Sequence, residues 1–268
     1  MLNKKSACFA GAFLLGIKHM TRLSAFFVHL CISLCLATLS YVLVYLVWYP
    51  DHLSNASGTD QIFLMLVAID TVLGPCITLV IFNLKKKELK WDLSIVALVQ
   101  LSALLYGLHA VFVARPTYIV FNVDRFDIAY ANDFTDEKLA RVKNPSFQSV
   151  PLLRPRVIAA LSPTVTEERN ALLFSSVNGG DDLPQLPQYY VDYLEVAEVV
   201  KKRAQSLKEL NQFNVGQSNR ISALQAKYDK SEISVGYLPL KGKIDHLTVI
   251  VDRKTAKVLE FVDLRPWQ

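Results

Sequence analysis

The stretch that decides the fold is IFLMLVAIDTVLGPCITLVIF, residues 62–82, followed directly by NLKKKELK, residues 83–90. About 20 mainly apolar residues are enough for a helix to cross the roughly 30 Å of hydrocarbon in a bilayer. Residues 62–82 contain one acid, Asp70, and no Lys or Arg. Two further apolar stretches, residues 24–49 and 93–114, contain no Asp, Glu, Lys or Arg. The sequence therefore predicts three transmembrane helices.

Basic residues next to these stretches predict how the helices are oriented. Loops that are rich in Lys and Arg remain in the cytoplasm. Four lysines lie in residues 83–90, and the segment before the first span is basic and free of acids, whereas residues 50–61 contain two Asp and no Lys or Arg. We therefore expect the N-terminus and the lysine loop in the cytoplasm, and the chain after Ala114 on the other side of the membrane.

The first residues admit more than one interpretation. Residues 7–17 form an apolar run behind two lysines, as in a signal peptide, but no small-residue cleavage site follows. A cleaved signal would also place the lysine loop outside. Two alternatives remain, an interfacial lead-in helix or a true start at Met20, and the second is favoured. The expected division is a cytoplasmic segment, residues 1–22, a transmembrane region, residues 23–114, and a soluble domain, residues 115–268.

Charge and cysteine content exclude several function classes. The chain has a formal net charge of +5, but residues 115–268 hold 21 Lys and Arg against 19 Asp and Glu. This distribution is typical of topology-determining charge and argues against nucleic-acid binding. All four cysteines lie in apolar segments, so the soluble half contains neither a disulfide nor a thiolate metal site. Cys31 and Cys35 are interpreted as buried structural thiols because no other metal ligand is near them in sequence.

The soluble half mixes strand and helix patterns. Strands are expected within residues 117–130 and at residues 234–240, 247–252 and 258–264, where β-branched and aromatic residues cluster. Helices are expected at residues 135–142, 164–174, 189–210 and 218–228, the second of them starting with a capping box. Prolines and glycines predict an irregular middle. The expected fold class is a membrane α-helical region plus a C-terminal α+β domain whose opening and closing strands share one sheet.

Sequence motifs for catalysis are missing. The chain has no Gly-rich phosphate loop, no HExxH and no GxSxG, and its five histidines are scattered. His246, beside Asp245, is the one histidine of the soluble half, and it is interpreted as a surface or turn residue. We therefore predict no catalytic, cofactor-binding or metal-binding residues, no cofactor and no enzymatic activity.

Asp70 is the most informative residue of the spans. An acid near the centre of a membrane helix costs about 2.5–3.5 kcal/mol on insertion scales, so it needs a partner or protonation. At 1.5 Å of rise per residue, Tyr41 and Tyr106 lie at a matching depth, and we predict a hydrogen bond from Asp70 to one of them. Pro75, after Gly74, frees a backbone carbonyl and is expected to bend the helix. The candidate structural or helix-contact residues are Asp70, Thr71, Gly74, Pro75, Thr78, Tyr41 and Tyr106.

Asp70 also has a functional alternative. It could belong to a proton relay or could dock another membrane helix. A single acid with no continuing chain of acids is weak support for proton transport, so a structural or docking role is preferred.

The order of short motifs along the chain resembles the TfpX/TfpZ family of type IV pilin accessory proteins, which includes FimB-like proteins. The likeness runs from Met20 almost to the end, and residues 1–19 extend beyond the family's usual start. No single motif is diagnostic, and the order of the motifs carries the resemblance. The residues that carry it are Met20-Thr21-Arg22, His29-Leu30, Asp70, Leu73-Gly74-Pro75, Gln100-Leu101, Tyr106-Gly107, Arg115-Pro116, Val123-Asp124-Arg125-Phe126, Gly236-Tyr237-Leu238-Pro239-Leu240, Val251-Asp252-Arg253 and Leu264-Arg265-Pro266-Trp267.

The resemblance implies a multi-pass protein of a Gram-negative inner membrane that assists type IV pilus assembly from a particular pilin. The implied partners are a pilin subunit, the pilus assembly machinery and membrane lipid, and the C-terminal domain would be periplasmic. One alternative is a membrane-anchored sensor with a periplasmic ligand-binding domain. Another is a membrane-anchored enzyme acting on pilin or glycan, which would need the clustered catalytic groups that the sequence lacks.

Overall fold

A computed structural model describes residues 20–267 of the chain. The expectations for residues 1–19, including the lead-in helix, the alternative start and Cys8, lie outside the described residues. The chain forms two compact units. The first contains residues 20–42 and 61–110, and the second contains residues 43–60 and 111–267.

Three long apolar helices confirm the expected membrane region. Helix α1 spans Arg22–Tyr41 and continues as a π-helix, Val42–Trp48; α3 spans Thr59–Ile81; α4 spans Leu89–Val113. Their most apolar windows have mean hydropathies of 2.3, 2.3 and 2.0. Most of their large apolar side chains are exposed, as expected of surfaces that face lipid. The protein is therefore a membrane protein.

The cysteines of these helices correct one expectation. Cys31, Cys35 and Cys76 are free thiols on the exposed surfaces of their helices. The interpretation of Cys31 and Cys35 as buried thiols is therefore wrong. Apolar sequence context was a poor guide to burial here, because in a membrane helix the residues on every face are apolar.

The second unit contains one mixed seven-stranded sheet with helices, which confirms the α+β fold class. The sheet order is β4-β3-β1-β2-β5-β6-β7. Neighbouring strands are antiparallel except for the pairs β1–β3 and β2–β5. The strands are β1 Pro116–Asn122, β2 Arg125–Tyr130, β3 Arg156–Ala160, β4 Tyr190–Val191, β5 Val235–Lys241, β6 Leu247–Asp252 and β7 Val258–Val262. The opening and closing strands share one sheet, as expected.

Four helices of the second unit follow the membrane region. They are α5 Asp136–Ala140, α6 Thr166–Val177, α7 Ala197–Arg203 and α8 Ser218–Asp229. The expected capping box at the start of α6 is wrong, because its N-cap is Val165, which makes no side-chain cap. The expected single helix over residues 189–210 is also wrong. Tyr190 pairs with Ala160 as the edge strand β4, and Gln205 bridges to Tyr237 of the interior strand β5, so α7 covers only residues 197–203 of the segment.

The short connection between the first two spans belongs to the soluble unit. It contains helix α2, Leu53–Ser57, in which Leu53 and Ala56 are fully buried. The amide of Ile244 donates to the carbonyl of Ala56 at 3.0 Å. A Cβ on Gly242 would lie 2.6 Å from that same carbonyl oxygen, so only glycine permits this approach. Residues 43–60 therefore pack as part of the domain that follows the third span.

Candidate functional site

The inward face of α1 is made of small and polar residues at helical spacing. Ala25, Ser33 and Ser40 are buried, and His29 is half-buried on the same face. Small residues allow helix backbones to approach closely in a membrane, where packing and interhelical hydrogen bonds take the place of the hydrophobic effect. This face is therefore suited to contact with the other spans.

One hydrogen bond joins the first and second spans. Nδ1 of His29 lies 2.6 Å from Oγ1 of Thr78, and the tautomer of the ring decides which atom donates. Thr78 is only 3% exposed. Nearer the start of α1, Nε of Arg22 donates to the carbonyl of Phe82 at 2.8 Å and so satisfies a backbone acceptor just past the end of α3.

A second hydrogen bond joins the second and third spans. Nε2 of Gln100 donates to the backbone carbonyl of Asp70 at 3.2 Å. Gly74, one turn further along α3, makes room for the amide, because a Cβ there would lie 1.8 Å from Nε2 of Gln100. Two turns further along the same face of α4, a Cβ on Gly107 would lie 2.4 Å from Cδ2 of Leu66. Glycines thus permit close packing of α3 against α4.

We call His29, Asp70, Gly74, Thr78 and Gln100 the polar seam. Two buried oxygens in or beside it have no hydrogen-bond partner among the described residues. A cavity of about 100 Å³ lies against the seam. Buried polar atoms without partners are costly in an apolar environment, so the seam retains unused capacity for a donor. The two oxygens are Oδ2 of Asp70 and Oγ1 of Thr71, and the amide of Gln100 also meets the ring of His29.

The predicted phenol partner of Asp70 is not found at this oxygen. Tyr106 is 76% exposed, and Tyr41 is 52% exposed. Six residues separate Gln100 from Tyr106, so on a helix of 3.6 residues per turn the two side chains point about 120° apart. A hydrogen bond between Asp70 and one of these phenols therefore stays a prediction.

Five of the seven predicted residues lie on one stretch of α3. Asp70 and Thr71 are half-buried, and Gly74 and Thr78 are buried. Pro75 is buried beside them, and α3 continues as a helix through it. Sequence reasoning missed His29 and Gln100 as members of the seam, although a polar residue inside an apolar span is itself a signal of a contact.

In the soluble unit, Asp127 and His246 are titratable groups whose pKa values are shifted by burial. Arg125 Nε lies 3.3 Å from Oδ2 of Asp127, in an orientation that does not meet hydrogen-bond geometry. Burial raises the pKa of the Asp127 carboxyl, and Arg125 only partly opposes this. His246 packs edge-on against Trp267, with ring centroids 5.1 Å apart, and burial lowers its pKa. Within residues 20–267, no cluster of three or more His, Cys, Asp or Glu side chains is placed to hold a metal ion.

Sequence comparison identifies relatives of this chain. The sequence model of the family "Fimbrial assembly protein FimB" matches residues 18–58. The fimbrial assembly protein of serogroup I from Dichelobacter nodosus is 30% identical over 182 residues, which cover 67% of this chain and 70% of the relative. The serogroup E1 protein of the same organism is 27% identical over 216 residues, covering 80% and 83%. No solved structure matches the chain.

Proposed function

Since the chain belongs to the FimB family of fimbrial assembly proteins, we propose that it assists pilus assembly by binding the membrane helix of a specific type IV pilin. The pilin enters the membrane by one hydrophobic helix before it polymerises, as the family resemblance implies. The three spans would offer that helix a lateral contact, and the soluble domain would be free to meet the pilin head or the assembly machinery.

The observation that carries this proposal is the unused hydrogen-bonding capacity of the polar seam. Oδ2 of Asp70 has no partner among residues 20–267, whereas the amide of Gln100 also meets His29, and the side chains of Asp70 and Gln100 both line the cavity of about 100 Å³. A polar side chain from a neighbouring helix that entered this cavity would meet acceptors that lipid cannot satisfy. The seam therefore favours a helix with a donor over surrounding lipid.

A proton relay is the weaker interpretation of the same residues. Asp70 is the one acid in the interior of the three described spans, since Asp60 and Asp92 lie in the first turns of their helices. A relay needs a series of titratable groups. His29 is bonded to Thr78, which does not titrate.

Photo-crosslinking in the living membrane tests the pilin contact. Leu101 lines the cavity and is 48% exposed, whereas Ile95 is 57% exposed and lies about 140° around α4 from Gln100 of the seam. Benzoylphenylalanine at Leu101 should crosslink to the cognate pilin, and the same group at Ile95 should crosslink several-fold less. Equal yields, or no pilin adduct at Leu101, would contradict docking at the seam.

The proposal includes a location and a topology. We place the spans in the bacterial inner membrane, with the N-terminus and the lysine loop in the cytoplasm and residues 115–268 in the periplasm. The positive-inside rule supports this orientation. The connection between the first two spans, residues 49–58, would then lie in the periplasm together with the soluble unit to which it belongs.

A second candidate function is ligand sensing by the soluble domain. A cavity of about 650 Å³ lies beside the C-terminal residues, with polar groups that include Asn214, His246 and Arg265. This size is within the range of small-molecule sites, although those are usually lined mainly by apolar groups. Native mass spectrometry of the full-length protein, released gently from detergent, should reveal a bound small molecule if this alternative holds. A pilus that assembles normally without the protein would favour sensing over assembly.

A further inference from the structure

We propose that residues 151–156, PLLRPR, form a lipid-binding loop that inserts into the interface of the same membrane that holds the three spans. We call these residues the leucine loop. Its two leucines, Leu152 and Leu153, are each 66% exposed, side by side, in a domain whose other apolar residues mostly form a core. The occupant that we assign to them is the phospholipid bilayer, at the boundary between headgroups and acyl chains.

A contact with the first span fixes the position of the leucine loop relative to the membrane. Nη2 of Arg154 donates to the backbone carbonyl of Leu46 at 3.1 Å. Leu46 lies two residues before the end of the span at Trp48. Carbonyls in the last turn of a helix lack partners within the helix, and a cation there also interacts favourably with the helix dipole. Arg154 therefore holds the loop beside a residue that is itself part of a membrane helix.

A contact with a residue that follows the third span fixes the position of the other end of the leucine loop, at Pro151. Nη2 of Arg115 donates to the carbonyl of Pro151 at 2.8 Å, and its Nη1 donates to the carbonyl of Phe112, also at 2.8 Å. The guanidinium lies 3.8 Å from the centroid of the Phe112 ring. Arg115 is 3% exposed and comes two residues after the end of α4. Both ends of the leucine loop are thus bonded to the ends of membrane helices.

The register of strands β1 and β3 also places the leucine loop near the end of the third span. Strands β1 and β3 are parallel, and Arg156 is the register partner of Tyr118. Tyr118 lies only two residues into β1, or roughly 7 Å along a strand, from Pro116 and the end of the third span. Leu152 and Leu153 precede Arg156 in the chain, so the loop runs back toward the end of that span.

The chemistry of the loop fits a lipid interface. Pro151 and Pro155 restrict its backbone, so the two leucines are presented with little conformational freedom left to lose. Exposed Arg154 and Arg156 follow them, where phosphate headgroups would lie. Neighbouring aromatic residues belong to the same layer, since Trp48 packs against Phe112 with ring centroids 5.0 Å apart.

Lipid crosslinking tests the inference, and its outcome does not depend on any pilin. Full-length protein carrying benzoylphenylalanine at Leu153 is reconstituted into vesicles of phosphatidylethanolamine and phosphatidylglycerol, illuminated and examined by intact mass spectrometry. The matched control is Leu161, which is 48% exposed and follows the other end of β3. This design retains every native cysteine, and correct folding is checked by comparing thermal melts with the unmodified protein.

We expect phospholipid adducts at Leu153 in at least five-fold excess over Leu161, with Leu152 behaving like Leu153. Equal yields at Leu153 and Leu161 would overturn the inference. A protein adduct instead of a lipid adduct at Leu153, when the same variant is illuminated in cells, would also overturn it and would identify the loop as a protein-docking surface.

Discussion

Replacing Gly74 by alanine tests the packing of the polar seam most directly. The new Cβ would lie 1.8 Å from Nε2 of Gln100 and 2.5 Å from its Cδ, so the flexible amide must move away. In moving, it gives up its 3.2 Å hydrogen bond to the carbonyl of Asp70. Interhelical hydrogen bonds in membranes contribute about 0.6 kcal/mol on average and at most about 1.7 kcal/mol. With the overpacking added, we expect Gly74→Ala to lower the free energy of unfolding by about 1–3 kcal/mol.

A double-mutant cycle separates this contact from a general effect of alanine in α3. Gln100→Ala removes both the obstructing amide and the hydrogen bond, so adding Gly74→Ala to it should cost less than about 0.5 kcal/mol more. The free energies of unfolding are measured by SDS titration of the protein in bicelles, followed by far-UV circular dichroism. The matched control is Gly107→Ala, which Leu66→Ala should relieve and Gln100→Ala should not. If Gly74→Ala costs the same with and without Gln100, the geometry of the seam is refuted.

Three further predictions concern the acids and the topology. Asp70→Asn should be tolerated better than Asp70→Leu, because Asn can still hydrogen-bond within the spans, and equal loss of folded protein in both variants would count against that role. Burial raises the pKa of Asp127, so the native state binds its proton more tightly than the unfolded state, and the destabilisation appears as the pH rises through the native pKa. Asp127→Asn should therefore raise the melting temperature at pH 7 and change it little near pH 3, whereas the same shift at both pH values would contradict the assignment. Alkaline phosphatase fused after Gln268 should be active and a fusion after Asn83 inactive; the reverse pattern would invert the proposed topology.

The helices of the membrane and the end strands of the sheet could be predicted from local sequence. Residues 62–82 and their two counterparts exceed the length and apolarity that a span requires, wherever the rest of the chain lies. The strand predicted at residues 247–252 matches the observed strand β6. A hairpin connects it to β7, so its sequence pattern is complete within a few residues. Strand β3, Arg156–Ala160, was missed because its partner β1 lies more than thirty residues earlier in the chain.

The candidate site could be predicted in part. Asp70, Gly74 and Thr78 stand out in an apolar span, and the structure places all three on one stretch of α3. The phenol partner of Asp70 stays a prediction, because depth in the membrane can be counted from the sequence, whereas the angle at which a side chain leaves the helix toward its neighbour cannot. Gln100 and Tyr106, six residues apart on α4, point about 120° apart around the helix axis. Residues 50–61 were taken for a simple connection, since nothing local shows that Ala56 meets the backbone of Ile244.

The sequence by itself determined that this is a membrane protein with three spans, where each span lies and which polar residues they carry. The physical reason is that transfer from water to lipid is a sum over consecutive residues, and each residue contributes nearly independently of the fold. Only the tertiary structure decided which polar groups meet, which acceptors remain without partners and which loop lies beside the ends of the spans. Those outcomes depend on helix rotation and on strand register between distant segments, because a hydrogen bond or a close packing contact is made only when two specific atoms come within a few ångströms of each other.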